Sequence, residues 1–364
     1  MQVLYTHDIF SRQHYGGISR YFVELIQHLS NEGSDLCVLA GKHSNQHLQV
    51  LEGHMSVMGE YSRNRQFHFL NQFRNRIQQE KQLVSTKKQI AHHTYYSFQR
   101  PLKSLRLVVT IHDMIPERFP EQFGWKARIL SLAKRRSCSF ADRILVVSQN
   151  TKRDLIHEFG ISPDKIDVTY LGSSLRRYAS QELPNPFSKP YILYVGSRGG
   201  YKNGRVLFEA FAHSTLLKND FSLVCFGGGK FSPSEMQFFC KLGIEGHVYQ
   251  RGGNDLQLSR YYKHAECFVY PSIYEGFGIP PIEAMSFDCP IVASTGGSIP
   301  EVVGSAGVYF DPQSSAMLRD SLESLLYDVQ KQAELRVEMK TRLSMYSWEN
   351  TAKQTLQCYE KAAA

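Results

Sequence analysis

The chain has no apolar run approaching the roughly 20 residues a bilayer-spanning helix needs, which excludes a membrane span. Its opening, MQVLYTHDIF, lacks the charged stretch and apolar core of a signal peptide, so a cytoplasmic protein is expected. Cysteine is sparse and unpaired in pattern. Seven residues (Cys37, Cys138, Cys225, Cys240, Cys267, Cys289 and Cys358) are scattered, and none form C-x-x-C. Buried reduced thiols are therefore expected, rather than disulfides or a metal site. D-x-D, a common way of holding a divalent cation on a diphosphate, does not occur, and neither does the Walker pattern G-x-x-x-x-G-K-[ST]. A solenoid-type repeat and low-complexity tracts are also missing.

What is present is a globular composition, 42% hydrophobic and 21% charged, over 364 residues, long enough for two domains. The net charge of +8 is uneven. Residues 1–180 hold 25 Lys and Arg against 15 Asp and Glu, whereas the remainder holds 17 against 19. Nucleic acid, an anionic membrane surface or a phosphorylated substrate would each suit such a basic half. No aromatic-basic alternation of a nucleic-acid module is found, so nucleic acid is set aside.

Short Val/Ile/Leu runs at 3–5, 36–40, 107–111, 144–147 and 166–171, then at 191–195, 221–226, 267–270, 290–293 and 308–310, read as strands buried on both faces. Helical stretches alternate with them. The clearest stripe is Ile18, Tyr21, Phe22, Leu25, Ile26 and Leu29. Repeated strand–helix alternation means α/β with parallel sheets. The proline-bearing stretch 179–189 is the best linker, dividing the chain into domains 1–180 and 190–346. Two doubly wound domains joined there would face a central cleft, with ligands outside the carboxyl ends of the strands.

Four segments fall at such ends. The strongest is Tyr274-Glu275-Gly276-Phe277-Gly278-Ile279-Pro280-Pro281-Ile282-Glu283, a loop running into a proline-started helix. Its glycines and unpaired N–H groups suit an anion, and Glu275 and Glu283 suit sugar hydroxyls beside a diphosphate. Gly196-Ser197-Arg198-Gly199-Gly200-Tyr201-Lys202 offers backbone donors plus two cations. Gly16-Gly17 lets a ligand approach the first amphipathic helix, and His112 ends a strand where it can donate to a hydroxyl. His7-Asp8 and His92-His93 are less informative, and no metal site is built from them. The basic amphipathic run 125–136 and the Arg/Lys/Gln-rich stretch 63–88 suit either a membrane surface or an ordinary exposed helix.

Together these residues resemble the retaining nucleotide-sugar glycosyltransferases of family 4, with the GT-B architecture of two Rossmann-like domains. The resemblance runs from Val3 to about Tyr359, and its most specific mark is E-x7-E, met by Glu275 and Glu283. Gly296-Gly297-Ser298-Ile299-Pro300-Glu301 matches the family's next segment. Tyr346-Ser347-Trp348-Glu349 matches the entry to the last helix, which returns to the first domain as 347–364. The wording is that of bacterial O-antigen, capsule and exopolysaccharide enzymes that are mannosyl- or rhamnosyltransferases.

The resemblance implies that Glu275 meets the donor sugar and Glu283 the ribose. Amides around Gly276, Phe277, Gly278 and Ile279, with Gly196, Ser197, Lys202 and Arg198, would hold the diphosphate. His112 would touch the donor sugar, and Gly16-Gly17 would lie between donor and acceptor. Many relatives carry Arg directly after the strand-end glycine, where Ser197 stands here, so Lys202 is favoured over Arg198. The implied reaction is retaining transfer of a hexose without a metal or other cofactor. GDP-mannose is favoured over dTDP-rhamnose or UDP-sugars, and the acceptor is a glycan or lipid-linked glycan. Peripheral attachment at the inner face of the plasma membrane, through the basic domain, is the companion expectation. The alternatives are a catalytically idle scaffold and a same-fold sugar-nucleotide epimerase. A retaining hydrolase would need two carboxylates about 5 Å apart, whereas Glu275 and Glu283 stand at opposite ends of a loop.

Overall fold

The aliphatic runs become the strands of two separate parallel sheets in a computed structural model that describes residues 2–51, 56–61, 75, 89–98 and 105–364. The stretch 63–88 lies outside the described residues, apart from Asn75. The first sheet contains β1 (Gln2–Tyr5), β2 (Asp35–His43), β3 (Ser56–Tyr61), β4 (Gln89–His93), β5 (Arg106–Ile111), β6 (Arg143–Val146) and β7 (Ile166–Val168). Their order is β3-β2-β1-β4-β5-β6-β7, with β1 against β4 in a register that sets Tyr5 opposite His92. The second contains β8 (Tyr191–Val195), β9 (Ser222–Phe226), β10 (Val248–Arg251), β11 (Cys267–Tyr270), β12 (Ile291–Ser294) and β13 (Val308–Phe310), in the order β10-β9-β8-β11-β12-β13. Strand order therefore reverses between β1 and β4 in one sheet and between β8 and β11 in the other.

β3 and β4 are not among the sequence-predicted strands. β3 forms an edge with largely exposed side chains, and β4, Gln-Ile-Ala-His-His, has too few aliphatic residues to stand out. The histidines are nonetheless part of the interior. His92 Nδ1 pairs with the Tyr359 hydroxyl at 2.7 Å and Nε2 with Thr110 Oγ1 at 2.8 Å, while the Tyr5 and Tyr359 hydroxyls lie 2.7 Å apart. Burial pushes the His92 pKa well below the usual imidazole value, so the ring is neutral and uses one nitrogen to donate and one to accept.

The apolar stripe forms the helix Gly17–Asn31, burying Tyr21, Phe22, Leu25, Ile26 and Leu29. The chain passes from the first unit to the second between Leu171 and Gly172, and returns so that Trp348–Ala364 belongs to the first. The proline-bearing stretch 179–189 thus lies within the second unit. Leu183 is buried there in the core, and Lys263 and His264 donate to the carbonyls of Gln181 and Leu183 at 2.5 and 2.6 Å. Prolines mark that segment because it follows the surface of a unit, not because it joins two.

All seven cysteines are free thiols, six of them buried. Among the described residues, no helix is long and apolar enough to cross a membrane.

Candidate functional site

The reversal between β8 and β11 opens a crevice at the carboxyl ends of those strands, the usual ligand position of a doubly wound sheet. The loop after β8 carries Gly196 through Lys202, and the loop after β11 carries Glu275 through Gly278. They are tied together by backbone and side chain. Ile273 N donates to Tyr201 O at 2.7 Å, and Asn203 Nδ2 donates to Pro271 O at 3.1 Å and Pro312 O at 2.8 Å. Asn203, in the left-handed region at φ 56°, turns the chain into the helix Gly204–Ala212.

This arrangement brings Lys202 Nζ to 2.7 Å from Glu275 Oε1. The ammonium also lies over the rings of Tyr201 and Tyr270, at 5.4 and 5.8 Å from their centroids. Burial first, and then the Glu275 carboxylate to which it hydrogen-bonds, drive the Tyr270 hydroxyl well above its usual pKa, so it stays a donor.

The rest of the loop is moulded from behind. A Cβ on Gly296 would lie 2.1 Å from the Ile273 carbonyl oxygen, and one on Gly297 would lie 2.7 Å from both N and O of Glu275. Ser298 Oγ donates to the carbonyls of Glu275 and Phe277 at 3.0 and 2.8 Å. The Phe277 ring is buried edge-on against Tyr346. Gly278, at φ 99°, caps the helix Ile279–Ser286, whose Pro280 and Pro281 occupy the turn that needs no N–H. Glu283, buried on that helix, accepts from the Tyr262 hydroxyl at 3.0 Å. Tyr262 carries no local signal in sequence because its partner Glu283 lies on another helix, and Ser298, although inside the matched segment 296–301, reaches carbonyls on a loop far earlier in the chain.

Arg198, expected beside Lys202, faces elsewhere. Its Nε donates to Glu235 Oε1 at 2.6 Å, Nη1 to Gly227 O at 3.2 Å, and Nη2 to Gly229 O and Lys230 O at 3.2 and 3.3 Å. It is 8% exposed and lies over the Phe231 ring. It therefore holds the 227–229 turn, whose three glycines all have positive φ. Glu235 was not foreseen, since nothing local links it to a residue 37 positions earlier. The exposed Ser197 contributes its carbonyl, which accepts from the Tyr194 hydroxyl at 2.5 Å.

In the first unit His112 follows β5. Its ring is edge-on to Tyr21, with centroids 4.9 Å apart, and Nε2 is buried without a hydrogen-bond partner among the described residues. Burial lowers its pKa to about 4, so the imidazole is neutral at physiological pH. Gly16 precedes the helix Gly17–Asn31, and its carbonyl accepts from Ser19 Oγ at 3.0 Å. A Cβ on Gly16 would meet Gln13 Oε1 at 2.6 Å, whereas one on Gly17 would meet nothing within 4 Å. The Gln13 amide is the mobile end of a flexible side chain, so neither position requires glycine on steric grounds.

The basic run becomes the helix Trp125–Phe140. Trp125, Ile129 and Leu132 are exposed along it, with Arg128, Arg135 and Arg136. Lys134 is not on that surface. It is fully buried, donating to Glu117 Oε2 at 2.7 Å and Asp113 O at 2.8 Å. Among the described residues, no three His, Cys, Asp or Glu side chains converge as a metal site.

The family model for Glycosyltransferase Family 4 matches residues 15–177, and that for Glycosyl transferases group 1 matches residues 176–342. The chain is 31% identical over 280 residues to O-antigen chain mannosyltransferase B of Escherichia coli, covering 72% of each chain. It is 30% identical over 229 residues to MMP alpha-(1->4)-mannosyltransferase of Mycolicibacterium hassiacum, covering 61% of this chain and 54% of that one. Among solved structures it superposes on sucrose-phosphate synthase of Thermosynechococcus elongatus with TM-score 0.75 at 18% identity, covering 99% of this chain and 98% of that chain. With Anabaena HepE in complex with UDP and glucose the TM-score is 0.72 at 17% identity, over 99% of each chain. This chain belongs to the glycosyltransferases of family 4, with the GT-B fold.

Proposed function

We propose that the chain is a retaining, metal-independent hexosyltransferase that moves mannose from GDP-mannose to a hydroxyl of a glycan or lipid-linked glycan in bacterial surface polysaccharide assembly. The observation that carries this reading is the Lys202–Glu275 pair, 2.7 Å apart at the switch point of the second sheet. A cation and a carboxylate side by side serve two parts of one ligand. Lys202 neutralises charge developing on the departing diphosphate, and Glu275 accepts from donor-sugar hydroxyls. Amides of the moulded loop from Gly276 to Ile279 add to the first role, Glu283 takes the ribose, and the acceptor proton passes to the leaving phosphate. His112 offers a neutral imidazole to a sugar hydroxyl, the role the family resemblance gives it. Arg198 acts through the 227–229 turn it holds. The names of the two mannosyltransferases above support mannose, and Lys202 with the absence of D-x-D supports independence from a metal.

The exposed Trp125, Ile129 and Leu132, flanked by arginines, support peripheral attachment to an anionic membrane. Nucleotide release from GDP-mannose, dTDP-rhamnose, UDP-glucose and UDP-galactose tests the donor. GDP-mannose is expected to lead and to stay active in excess EDTA. Release from another donor alone overturns the sugar, and a Mg2+-reversible loss in EDTA overturns metal independence. Co-sedimentation should favour phosphatidylglycerol vesicles over phosphatidylcholine ones; equal partition to both removes the membrane reading.

A further inference from the structure

The basic run 125–136 has an inward face as well as an exposed one. Arg128, Arg135 and Arg136 are exposed on the helix Trp125–Phe140, whereas the Lys134 side chain is 0% exposed. An ammonium group carries three N–H donors. Lys134 Nζ has three acceptors, all in the short segment that follows β5: Glu117 Oε2 at 2.7 Å, Asp113 O at 2.8 Å and, more weakly, Met114 Sδ at 3.8 Å. One turn further along the same face, Ser137 Oγ accepts from Ser97 N at 2.8 Å and donates to Ser97 O at 3.0 Å. That face of the helix therefore holds the chain beyond both β4 and β5.

As a source of stability the buried pair is poor. Desolvation of two ions is offset only where their other donors and acceptors are also satisfied, and Glu117 Oε1 is buried with no hydrogen-bond partner among the described residues. Two apolar side chains would fill the space at a similar or lower free energy. They would not bind a backbone carbonyl, and Lys134 binds that of Asp113, the residue after His112. Asp113 Oδ1 in turn accepts from Ile115 N at 3.0 Å, which fixes the start of the helix Ile115–Arg118. His112 is thus held along the chain from both sides, by β5, whose Ile111 pairs with Val146 of β6, and by the clamp on Asp113.

We propose that Lys134 is a positioning residue for transfer, clamping the segment after β5 so that the His112 imidazole is presented in one orientation to a sugar hydroxyl. The inference rests on the reading of His112 given under the proposed function. The cation also bears on the charge of the ring. Burial lowers the His112 pKa most, Asp113 opposes that, Lys134 adds to it, and His92 is a further titratable neighbour.

Lys134→Met alone leaves Glu117 a buried, unpaired carboxylate and should destabilise the chain. The informative variant is Lys134→Met with Glu117→Leu, which should melt within a few degrees of the unsubstituted protein. Its kcat for nucleotide release should nonetheless fall roughly tenfold or more, toward the loss expected for an ångström-scale misplacement. Affinity for GDP or UDP, whichever the chain binds, should stay within about twofold. Because both changes act through one ring, adding the apolar pair to His112→Gln should lower kcat by less than about twofold further. NMR titration of His112 reads the clamp without turnover, and its midpoint should rise from about 4 once the cation is gone. Near-normal kcat in the folded double variant, effects that multiply fully with His112→Gln, or an unmoved midpoint overturns the role of Lys134 and leaves the transfer reading standing. A chain that folds only with the ion pair intact overturns it too, because the pair is then structural. Normal kcat in His112→Gln sinks the reading of His112 and this inference with it. If no donor releases nucleotide, the transfer reading fails, and the His112 midpoint alone decides whether Lys134 sets that ring.

Discussion

Replacing Lys202 by Met should damage stability and catalysis in ways that a second substitution separates. The Lys202 side chain is 22% exposed and that of its partner Glu275 8%, so the variant leaves a mostly buried carboxylate without its cation. Removing one partner of a buried pair costs about 3–5 kcal/mol. The partial exposure, and the Tyr270 hydroxyl that still donates to Glu275, bring the expectation to about 2–3 kcal/mol. For a unit the size of Gly172–Ser347 that lowers the melting temperature by roughly 4–12 °C. The pair Lys202→Met with Glu275→Gln removes both charges and should recover most of that loss, to within about 1 kcal/mol. Catalysis should not recover. Loss of a preorganised charge at a leaving group costs roughly 10²–10³ in kcat, so nucleotide release should be that low in both single variants and lower in the double. Calorimetry and a coupled nucleotide-release assay on the four proteins complete the cycle. A double variant no more stable than Lys202→Met would show that the pair is not a coupled unit. Turnover above a tenth of normal in Lys202→Met would remove the lysine from the leaving-group role.

Gly297→Ala puts a methyl 2.7 Å from the Glu275 backbone at a positive φ. The loop must shift, and kcat/KM should fall about 100-fold, as for an ångström-scale misplacement; unchanged kcat/KM would refute the moulding role. Arg198→Met removes the guanidinium from Glu235, which keeps the Ser232 N–H, and from three carbonyls, so a loss of about 3 kcal/mol is expected in chemical denaturation, with a smaller effect on kcat than Lys202→Met has. Full stability with abolished transfer would return Arg198 to the diphosphate. The pH dependence follows from His112, whose folded pKa of about 4 lies below its ordinary value. Because the unfolded chain binds the extra proton, stability should be complete above about pH 6.5 and decline as pH falls toward 4. His92 and His93 are lowered in the same sense. Acid titration of the melting temperature should be shallower in His112→Gln, and an identical slope would refute the assignment.

Strand–helix alternation was legible because parallel strands covered on both faces are apolar along almost their whole length, as in β8, β9, β11 and β12. The helix Gly17–Asn31 was legible from its single stripe. β4 was not, since its two histidines owe their burial to Tyr359, Thr110 and Asp8, which are distant in sequence. The passage between units at Leu171 was likewise hidden, because proline records local backbone restriction and not which core a segment packs against.

The site divides in the same way. Glycine, proline and glutamate at fixed spacing announce a loop entering a helix, and those constraints are local, so the sequence alone determined Glu275, Gly278 and Glu283 as one element. The family resemblance favoured Lys202 over Arg198, but that Lys202 alone of the two stands beside Glu275 was decided by tertiary structure. Lys202 and Arg198 are four residues apart on one glycine-rich loop, and composition does not rank them by contact. Folding sends Lys202 toward β11 and its loop, and Arg198 toward Glu235 and the 227–229 turn, because the strand order sets β8 between β9 and β11.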